Sequence, residues 1–282
     1  MFHKEETLGL IKTIRSGRKY TFLEIGYGDS QVQVVCKTDE STELKEGSFV
    51  SVIGKKNELP QGVYSSQSFE ITDAKVEVLS KGAPVIVGMC PPGAAPEVRL
   101  ERRLYYFRDV EFVEVLRLSD ILCQAFRRYF QETKCVEVLP PSFTGVECEG
   151  GATLFKLEHP GKTTDKPIPA YLTQSSQFAL EYLVPGIGDC YCIAPSYRAE
   201  NSHTRRHLTE FTHIEAEWGG IRKFDDHLNR LRTMLTRILE IFLEIGKKSL
   251  EKIGKYERVV SLLDMTKNVV VLTHREAIEK CR

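Results

Sequence analysis

The sequence predicts an α+β protein in two parts, a small closed β-barrel followed by a larger domain of helices and strands. Three observations carry this. Short runs alternating apolar and polar residues crowd the first 80 residues. A stretch dense in proline and glycine follows. Beyond it the apolar period changes from two residues to about 3.6.

Residues 8–14, 20–25, 32–36, 49–53 and 69–79 read as five strands. Ser16-Gly17, Gly26-Tyr27-Gly28-Asp29 and Pro60-Gln61-Gly62 supply turns between them. Five short strands with tight connections suit a closed barrel, which leaves no unpaired edge, and the OB-fold is the natural candidate. This domain is expected over residues 1–80. Residues 81–104 are expected to be a linker, because Pro84, Pro91, Pro92 and Pro96 stand there with Gly82, Gly88 and Gly93. The second domain is expected over residues 105–282. In it Val113, Leu116, Ile121, Leu122, Ala125, Phe126 and Tyr129 recur at helical spacing. Residues 135–139 read as a strand that stops at Pro140-Pro141. From Phe224 a second amphipathic helix puts Leu228, Leu231, Leu235, Ile238, Leu239 and Phe242 on one face.

Composition excludes several classes. The 282 residues are 41% hydrophobic and 28% charged, enough for two ordinary cores. No apolar run reaches the roughly 18–20 residues of a membrane span. The first residues, MFHKEETLGL, carry acids where a signal peptide would be basic, so a cytoplasmic location is expected. Eight cysteines are scattered without a CxxC pair and read as reduced thiols. The 39 basic and 39 acidic residues cancel, so contact with nucleic acid must come from local patches such as Lys12, Arg15, Arg18 and Lys19. Gly54-Lys55 lacks the partner glycine of a phosphate loop, and Gly26-Tyr27-Gly28 lacks the third glycine of a dinucleotide fingerprint. His203, His207 and His213 have no accompanying cysteine or HExxH pattern, so no metal site is expected within this chain.

The most informative stretch is YRAENSHTRRHLTEFTHIEAE, residues 197–217. Its ends are β-compatible and its middle is polar and basic, which suggests a hairpin whose loop presents cations to a polyphosphate. Arg198 has the planar fork that holds two phosphate oxygens. Phe211 offers a face for a base, and Glu200 and Glu215 can accept from amino groups. Composition alone favours the plainer alternative, a solvated hairpin with ordinary ion pairs.

This stretch resembles the second signature motif of the class II aminoacyl-tRNA synthetases: arginine-x-glutamate, a loop, then histidine or arginine four residues before phenylalanine. Arg198, Glu200, His207 and Phe211 stand at those places. The resemblance implies an antiparallel-sheet catalytic core with flanking helices. It implies that Arg198 binds the ATP α-phosphate and the carboxylate being activated. Glu200 would contact adenine or the loop, His207 the γ-phosphate and Phe211 the adenine face. The segment ending at Pro141 resembles the first motif, which builds a homodimer interface. ECEGGATLFKL, residues 147–157, and TQSSQFALE, residues 173–181, resemble the substrate loops of the aspartate and asparagine branch. By that resemblance Glu149, Ser175 and Gln177 hold the substrate's α-amino group.

Within the branch, aspartate enzymes carry a lysine where this chain has Leu180. A buried second carboxylate without a cation costs several kcal/mol, whereas a neutral amide needs an acceptor, and the resemblance gives that role to Glu215. The implied function is ATP-dependent activation of asparagine and its transfer to tRNA(Asn), in the cytoplasm. Alternatives are an aspartate–tRNA ligase, an asparagine synthetase or a non-catalytic RNA-binding paralogue. Read without the resemblance, Phe22 is a core aromatic. With it, Phe22 stacks an anticodon base and Gln33 reads one, beside Lys12 and Arg15. Gly26-Tyr27 departs from the Arg-Asp pair of relatives. The family's third motif, with its ATP-gripping arginine and its acids for Mg2+, has no counterpart in residues 218–282, so this stretch alone is expected to form little adenylate.

Overall fold

The computed structural model describes residues 6–28, 30–40, 43–59, 69–82, 94–103, 110–148, 153–159, 168–202, 204 and 206–281. The chain divides into two compact units, residues 1–109 and 110–282.

The first unit contains β1 (Glu6–Ser16), β2 (Tyr20–Tyr27), β3 (Ser30–Lys37), β4 (Phe49–Glu58) and β5 (Phe69–Ser80). They close into a barrel in the order β1-β2-β3-β5-β4, with β4 pairing back onto β1. Alternation sends Ile11, Leu23, Ile25, Val34, Val50, Val52 and Ile71 inward to a dry core. Each such side chain contributes about 1.5–3 kcal/mol when fully buried. Three register shifts interrupt the wall, one of them between Phe49↔Ser80 and Val50↔Val78, and the two others are bulges of the kind that bend a strand. In one, Lys12 is the extra residue between the pairs Ile11↔Ile25 and Thr13↔Glu24. In the other, Gly54 lies between Ile53↔Lys75 and Lys55↔Thr72. A Cβ at Gly54 would sit 2.5 Å from Ile71 Cγ2 and 2.8 Å from the Thr72 carbonyl oxygen. Close backbone approach therefore accounts for Gly54-Lys55. The expected turn at Pro60-Gln61-Gly62 lies outside the described residues, as do Pro84, Pro91 and Pro92. The stretch expected as a linker carries a short helix, α1 (Pro96–Glu101). Proline at the first helical position is tolerated because the N–H it lacks has no partner there anyway.

The second unit contains α2 (Val110–Glu132), β6 (Val136–Glu137), β7 (Phe143–Thr144), β8 (Lys156–His159), β9 (Ile168–Leu172), α3 (Gln177–Glu181) and α4 (Val184–Ile187). There follow β10 (Cys190–Tyr197), β11 (Glu210–Glu217), α5 (Phe224–Lys252), α6 (Tyr256–Lys267) and α7 (His274–Cys281). The strands form two three-stranded sheets, β11-β10-β6 and β7-β9-β8. The expected antiparallel arrangement holds except that β6 runs parallel to β10. The main-chain N–H of Tyr197 donates to the Thr173 carbonyl at 2.9 Å, and that of Thr173 to the Ser142 carbonyl at 2.9 Å. These bonds tie the end of β10 to the β7-β9-β8 sheet.

Helices α2, α5 and α6 share a core with β10 and β11. Phe130 and Tyr191 stack with ring centroids 4.0 Å apart. Burial, and a hydrogen bond to Glu137, push the Tyr191 hydroxyl above its ordinary range. Two residues assigned to buried faces are exposed, Leu116 at 52% and Leu235 at 46%. On α2 the inward stripe runs through Glu114, Leu118, Ala125 and Tyr129, and Leu116 falls off it. Glu114 tolerates that position because its Oε1 accepts from Lys252 at 2.6 Å and from Arg117 at 2.7 Å. Among the described residues, no helix is long and apolar enough to cross a membrane.

Candidate nucleotide and amino-acid site

The antiparallel pair β10 and β11 runs in register from Cys190↔Glu217 to Tyr197↔Glu210. Period-two alternation gives the hairpin two unlike faces. Tyr191, Ile193, Ile214 and Ala216 pack with the helices. The opposite face carries Cys190, Cys192, Ala194 and Ser196 from β10, beside Glu217, Glu215, His213 and Phe211 from β11.

At the loop end of the hairpin is a cleft of about 410 Å³. Its lining brings together the four residues expected to meet a nucleotide, Arg198, Glu200, His207 and Phe211, and adds Arg206. The main-chain N–H of Arg198 donates to the Thr209 carbonyl at 3.0 Å, which sets where the side chain leaves the strand. Its guanidinium carbon lies 5.4 Å from the centroid of the Phe211 ring. Arg198 Nε is buried without a hydrogen-bond partner. An orphaned buried donor costs about 1–3 kcal/mol, more when it is charged, and a native structure keeps one where a ligand completes it. His207 is exposed, with Nδ1 against the Thr204 hydroxyl. Arg205 and His203 lie outside the described residues. Among the described residues no three His, Cys, Asp or Glu side chains converge as a metal site.

Further along the same face, Glu215 is anchored to the turn before α3. Its Oε1 accepts from the Ser175 hydroxyl at 2.5 Å, and its Oε2 from the Ser176 main-chain N–H at 2.8 Å. Ser175 Oγ also accepts from the Gln177 main-chain N–H at 3.1 Å. The Gln177 amide donates to Glu181 at 2.6 Å, and the Cys148 thiol lies 3.8 Å from its oxygen. Ser175, Gln177 and Glu215 are thus brought together, while Glu149 lies outside the described residues. Pro141, Cys148 and Ser175 line a small pocket of about 50 Å³ beside this network. Glu217 is pushed up by burial and by the neighbouring charges of Glu181 and Glu215. Three carboxylates at this end make it unfavourable for another anion and favourable for amide or ammonium N–H donors.

Leu180 does not stand where it was expected. It is fully buried, packed with Cys190, Cys192 and Val138, and lines neither the cleft nor the pocket. The short helix α3 turns it toward the sheet interior. Sequence reading grouped His213 with His203 and His207 and gave it no role at this face, yet its Nδ1 lies 3.0 Å from Ser196 Oγ and 3.4 Å from Glu215 Oε2. The alternation of Phe211, His213 and Glu215 was the signal that places it on this face.

On the barrel, Phe22 is 39% exposed and points outward, while its neighbour Leu23 enters the core. The core-aromatic alternative is therefore excluded. Phe22 pairs with Arg15 on β1 and with Val35 on β3, and Gln33 lies on the diagonal. Gln33 donates to Glu70 at 2.9 Å, and Lys12 is exposed at its bulge.

The family model described as tRNA synthetases class II (D, K and N) matches residues 95–282, and the chain belongs to that family. Within it, the chain is 35% identical over 246 residues to the cytoplasmic asparagine–tRNA ligase of Debaryomyces hansenii, covering 84% of this chain and 43% of the relative. It is 34% identical over 244 residues to the human cytoplasmic asparagine–tRNA ligase, covering 82% of this chain and 42% of the relative. The chain therefore spans less than half the length of these relatives. Among solved structures it is similar to asparaginyl-tRNA synthetase from Pyrococcus horikoshii complexed with asparaginyl-adenylate, with a TM-score of 0.78 and 26% identity, covering 95% of this chain and 64% of that one. Asparaginyl-tRNA synthetase from Entamoeba histolytica, at 23% identity and a TM-score of 0.79, shares the fold.

Proposed function

We propose that this chain forms part of an asparagine–tRNA ligase, which activates asparagine with ATP and passes it to tRNA(Asn). The observation that carries the reading is the hairpin face that holds an unpaired Arg198 at one end and an anchored Glu215 at the other. Arg198 donates to the α-phosphate and to the attacking carboxylate, drawing the two reacting groups together. Phe211 stacks the adenine, His207 and Arg206 meet the outer phosphates, and Glu200 contacts the base or loop. Glu215 accepts the side-chain amide N–H of asparagine, while Ser175, Gln177 and Glu149 hold its α-amino group. A carboxylate oxygen of asparagine then attacks the α-phosphorus in line, the bond to the bridging oxygen breaks, and pyrophosphate leaves with that electron pair. Positioned cations compensate the charge that builds up in this step, so no covalent intermediate with the protein is needed.

On the barrel, Phe22 stacks an anticodon base, Gln33 reads one, and Lys12 and Arg15 meet phosphates. A homodimer joined through the segment ending at Pro141 and a cytoplasmic location complete the reading. Mg2+ accompanies ATP as substrate in the nucleotide cleft. The test is calorimetric titration with the non-hydrolysable sulfamoyl analogues of asparaginyl-adenylate and aspartyl-adenylate. Preferential binding of the asparaginyl analogue is expected. Equal or tighter binding of the aspartyl analogue would reassign the site to aspartate.

A further inference from the structure

We infer that His213 is a positioning residue that fixes the orientation of Glu215 and so sets the preference for a neutral amide over a carboxylate side chain. This rests on the asparagine-activating reading above. Strand alternation puts His213 between Phe211 and Glu215, hence between the proposed nucleotide end and the amide end. Its Nδ1 lies 3.0 Å from Ser196 Oγ, a hydroxyl on a residue only 1% exposed, and 3.4 Å from Glu215 Oε2. A carboxylate oxygen can only accept. A bare ring nitrogen at that distance would repel it, and a protonated one attracts it. Glu215 therefore favours the imidazole form that carries hydrogen on Nδ1, with Ser196 Oγ accepting that hydrogen at 3.0 Å and the Glu215 carboxylate beside it.

Three groups then bear on the Glu215 carboxylate: the Ser175 hydroxyl on Oε1, and the Ser176 N–H with His213 Nδ1 on Oε2. The two serine donors come from one turn and restrain the group from one side. His213 restrains it from the neighbouring same-face position of its own strand. A carboxylate pinned in plane presents acceptor lone pairs in a fixed direction, which an amide N–H can meet and a second carboxylate cannot. Without the imidazole, Glu215 is free to swing about the serine contacts and the penalty on aspartate falls.

Three substitutions separate the ring's two nitrogens. His213→Asn puts an amide where Nδ1 stands, His213→Gln reaches the place of Nε2, and His213→Phe keeps only the ring. In the full chain, the ratio of affinities for the asparaginyl and aspartyl sulfamoyl analogues is read for each. His213→Asn should keep the wild-type ratio within about threefold, and His213→Gln and His213→Phe should lower it about tenfold, the loss of one polar contact to a charged group. Affinities that fall in parallel for both analogues would mark a merely structural role and overturn the proposal. So would a ratio kept by His213→Gln and lost by His213→Asn, which assigns the effect to Nε2. Wild type without any preference would sink the asparagine reading instead. Coupling is then still tested by ring nitrogen-15 spectra without ligand. The His213 signal, identified by its loss in His213→Asn, should report hydrogen on Nδ1 and change in Glu215→Ala. An unchanged signal would overturn the inference.

Discussion

The two faces of the β10–β11 hairpin use polar groups in opposite ways. On the helical side, charged groups are joined in ion pairs within the protein, Glu114 Oε1 with Lys252 and Arg117, and Arg237 with Glu132 and Glu240, although Glu114 Oε2 is buried without a hydrogen-bond partner. On the other side Arg198 keeps a buried nitrogen unpartnered, and carboxylates crowd near Glu217. A fold that minimised its own free energy would pair the second set as it pairs the first. The difference separates groups that stabilise the fold from groups held ready for a ligand. It also makes a prediction about sign. Substitutions on the helical side should cost stability, and substitutions on the site face should cost binding.

The largest effect is expected at Arg198. Arg198→Ala should weaken ATP binding about 10- to 100-fold, the worth of one or two charge-assisted bonds. Asparagine-dependent pyrophosphate exchange by the ligase should fall by about 100- to 1000-fold, because transition-state charge loses its partner. Thermal stability should be unchanged or higher, since the substitution removes an orphaned donor. A large loss of stability with unchanged nucleotide affinity would erase the distinction between the faces.

Glu114 makes the reverse case. Glu114→Gln should destabilise the second unit by about 2–3 kcal/mol, somewhat below a fully buried pair because Lys252 and Arg117 are partly exposed. Burial alone would raise this carboxyl, but hydrogen bonds from Lys252 and Ser249 and the charges of Lys252 and Arg117 bring it below its ordinary value of 4.5. A depressed folded value means that the carboxylate's stabilisation is present above pH 4.5 and lost as pH falls through the lower folded value. Urea unfolding of wild type and Glu114→Gln should therefore converge as the pH drops below that range. Curves that stay equally far apart would show that the effect is packing rather than charge.

The barrel and the hairpin were legible because strand alternation is a strong signal. Ile11, Leu23, Val34 and Val50 are apolar where the wall must face inward, and Phe211 and Glu215 stand four residues apart on one side of a strand. Helical phase was less legible. Leu116 and Leu235 look like core residues, yet the inward stripe of α2 passes through a glutamate whose partner is 138 positions away. No local pattern announces such a pairing. Leu180 was misplaced for a related reason: α3 is only five residues long, too short for a period to reveal its buried side. His213 was read with His203 and His207 as a sequence cluster, although strand geometry associates it with Glu215 and Ser196 instead.

The same separation can be tested in the barrel, where two adjacent residues face opposite ways. Phe22→Ala should weaken binding of the cognate tRNA by about 1–3 kcal/mol in a filter-binding assay and leave the melting temperature nearly unchanged. Leu23→Ala should do the converse, destabilising by about 2–5 kcal/mol through a cavity in the core. Unaltered tRNA affinity in folded Phe22→Ala would remove the RNA-reading role from this face.

The smallest effect is expected at Arg237, and it is the control for Arg198. Both are arginines in the second unit, and chemistry alone does not distinguish them. Arg237 forms two bonds to Glu132, at 2.9 and 2.8 Å, and a third to Glu240 at 3.2 Å. Those bonds hold its guanidinium firmly protonated and draw the Glu132 carboxyl below its ordinary value. The contacts are several, yet the side chains of Arg237 and Glu132 are 36% and 38% exposed, so water and salt already solvate the charges. Arg237→Ala should therefore cost no more than about 1 kcal/mol in urea unfolding, and less at high salt. Nucleotide and adenylate-analogue affinities should not change at all. The arginine with three hydrogen bonds would then matter less than the one with an unpartnered nitrogen, because burial and not the number of contacts decides what a charge is worth. A loss of several kcal/mol at Arg237, insensitive to salt, would show that the helical side holds its charges far more tightly than their exposure implies.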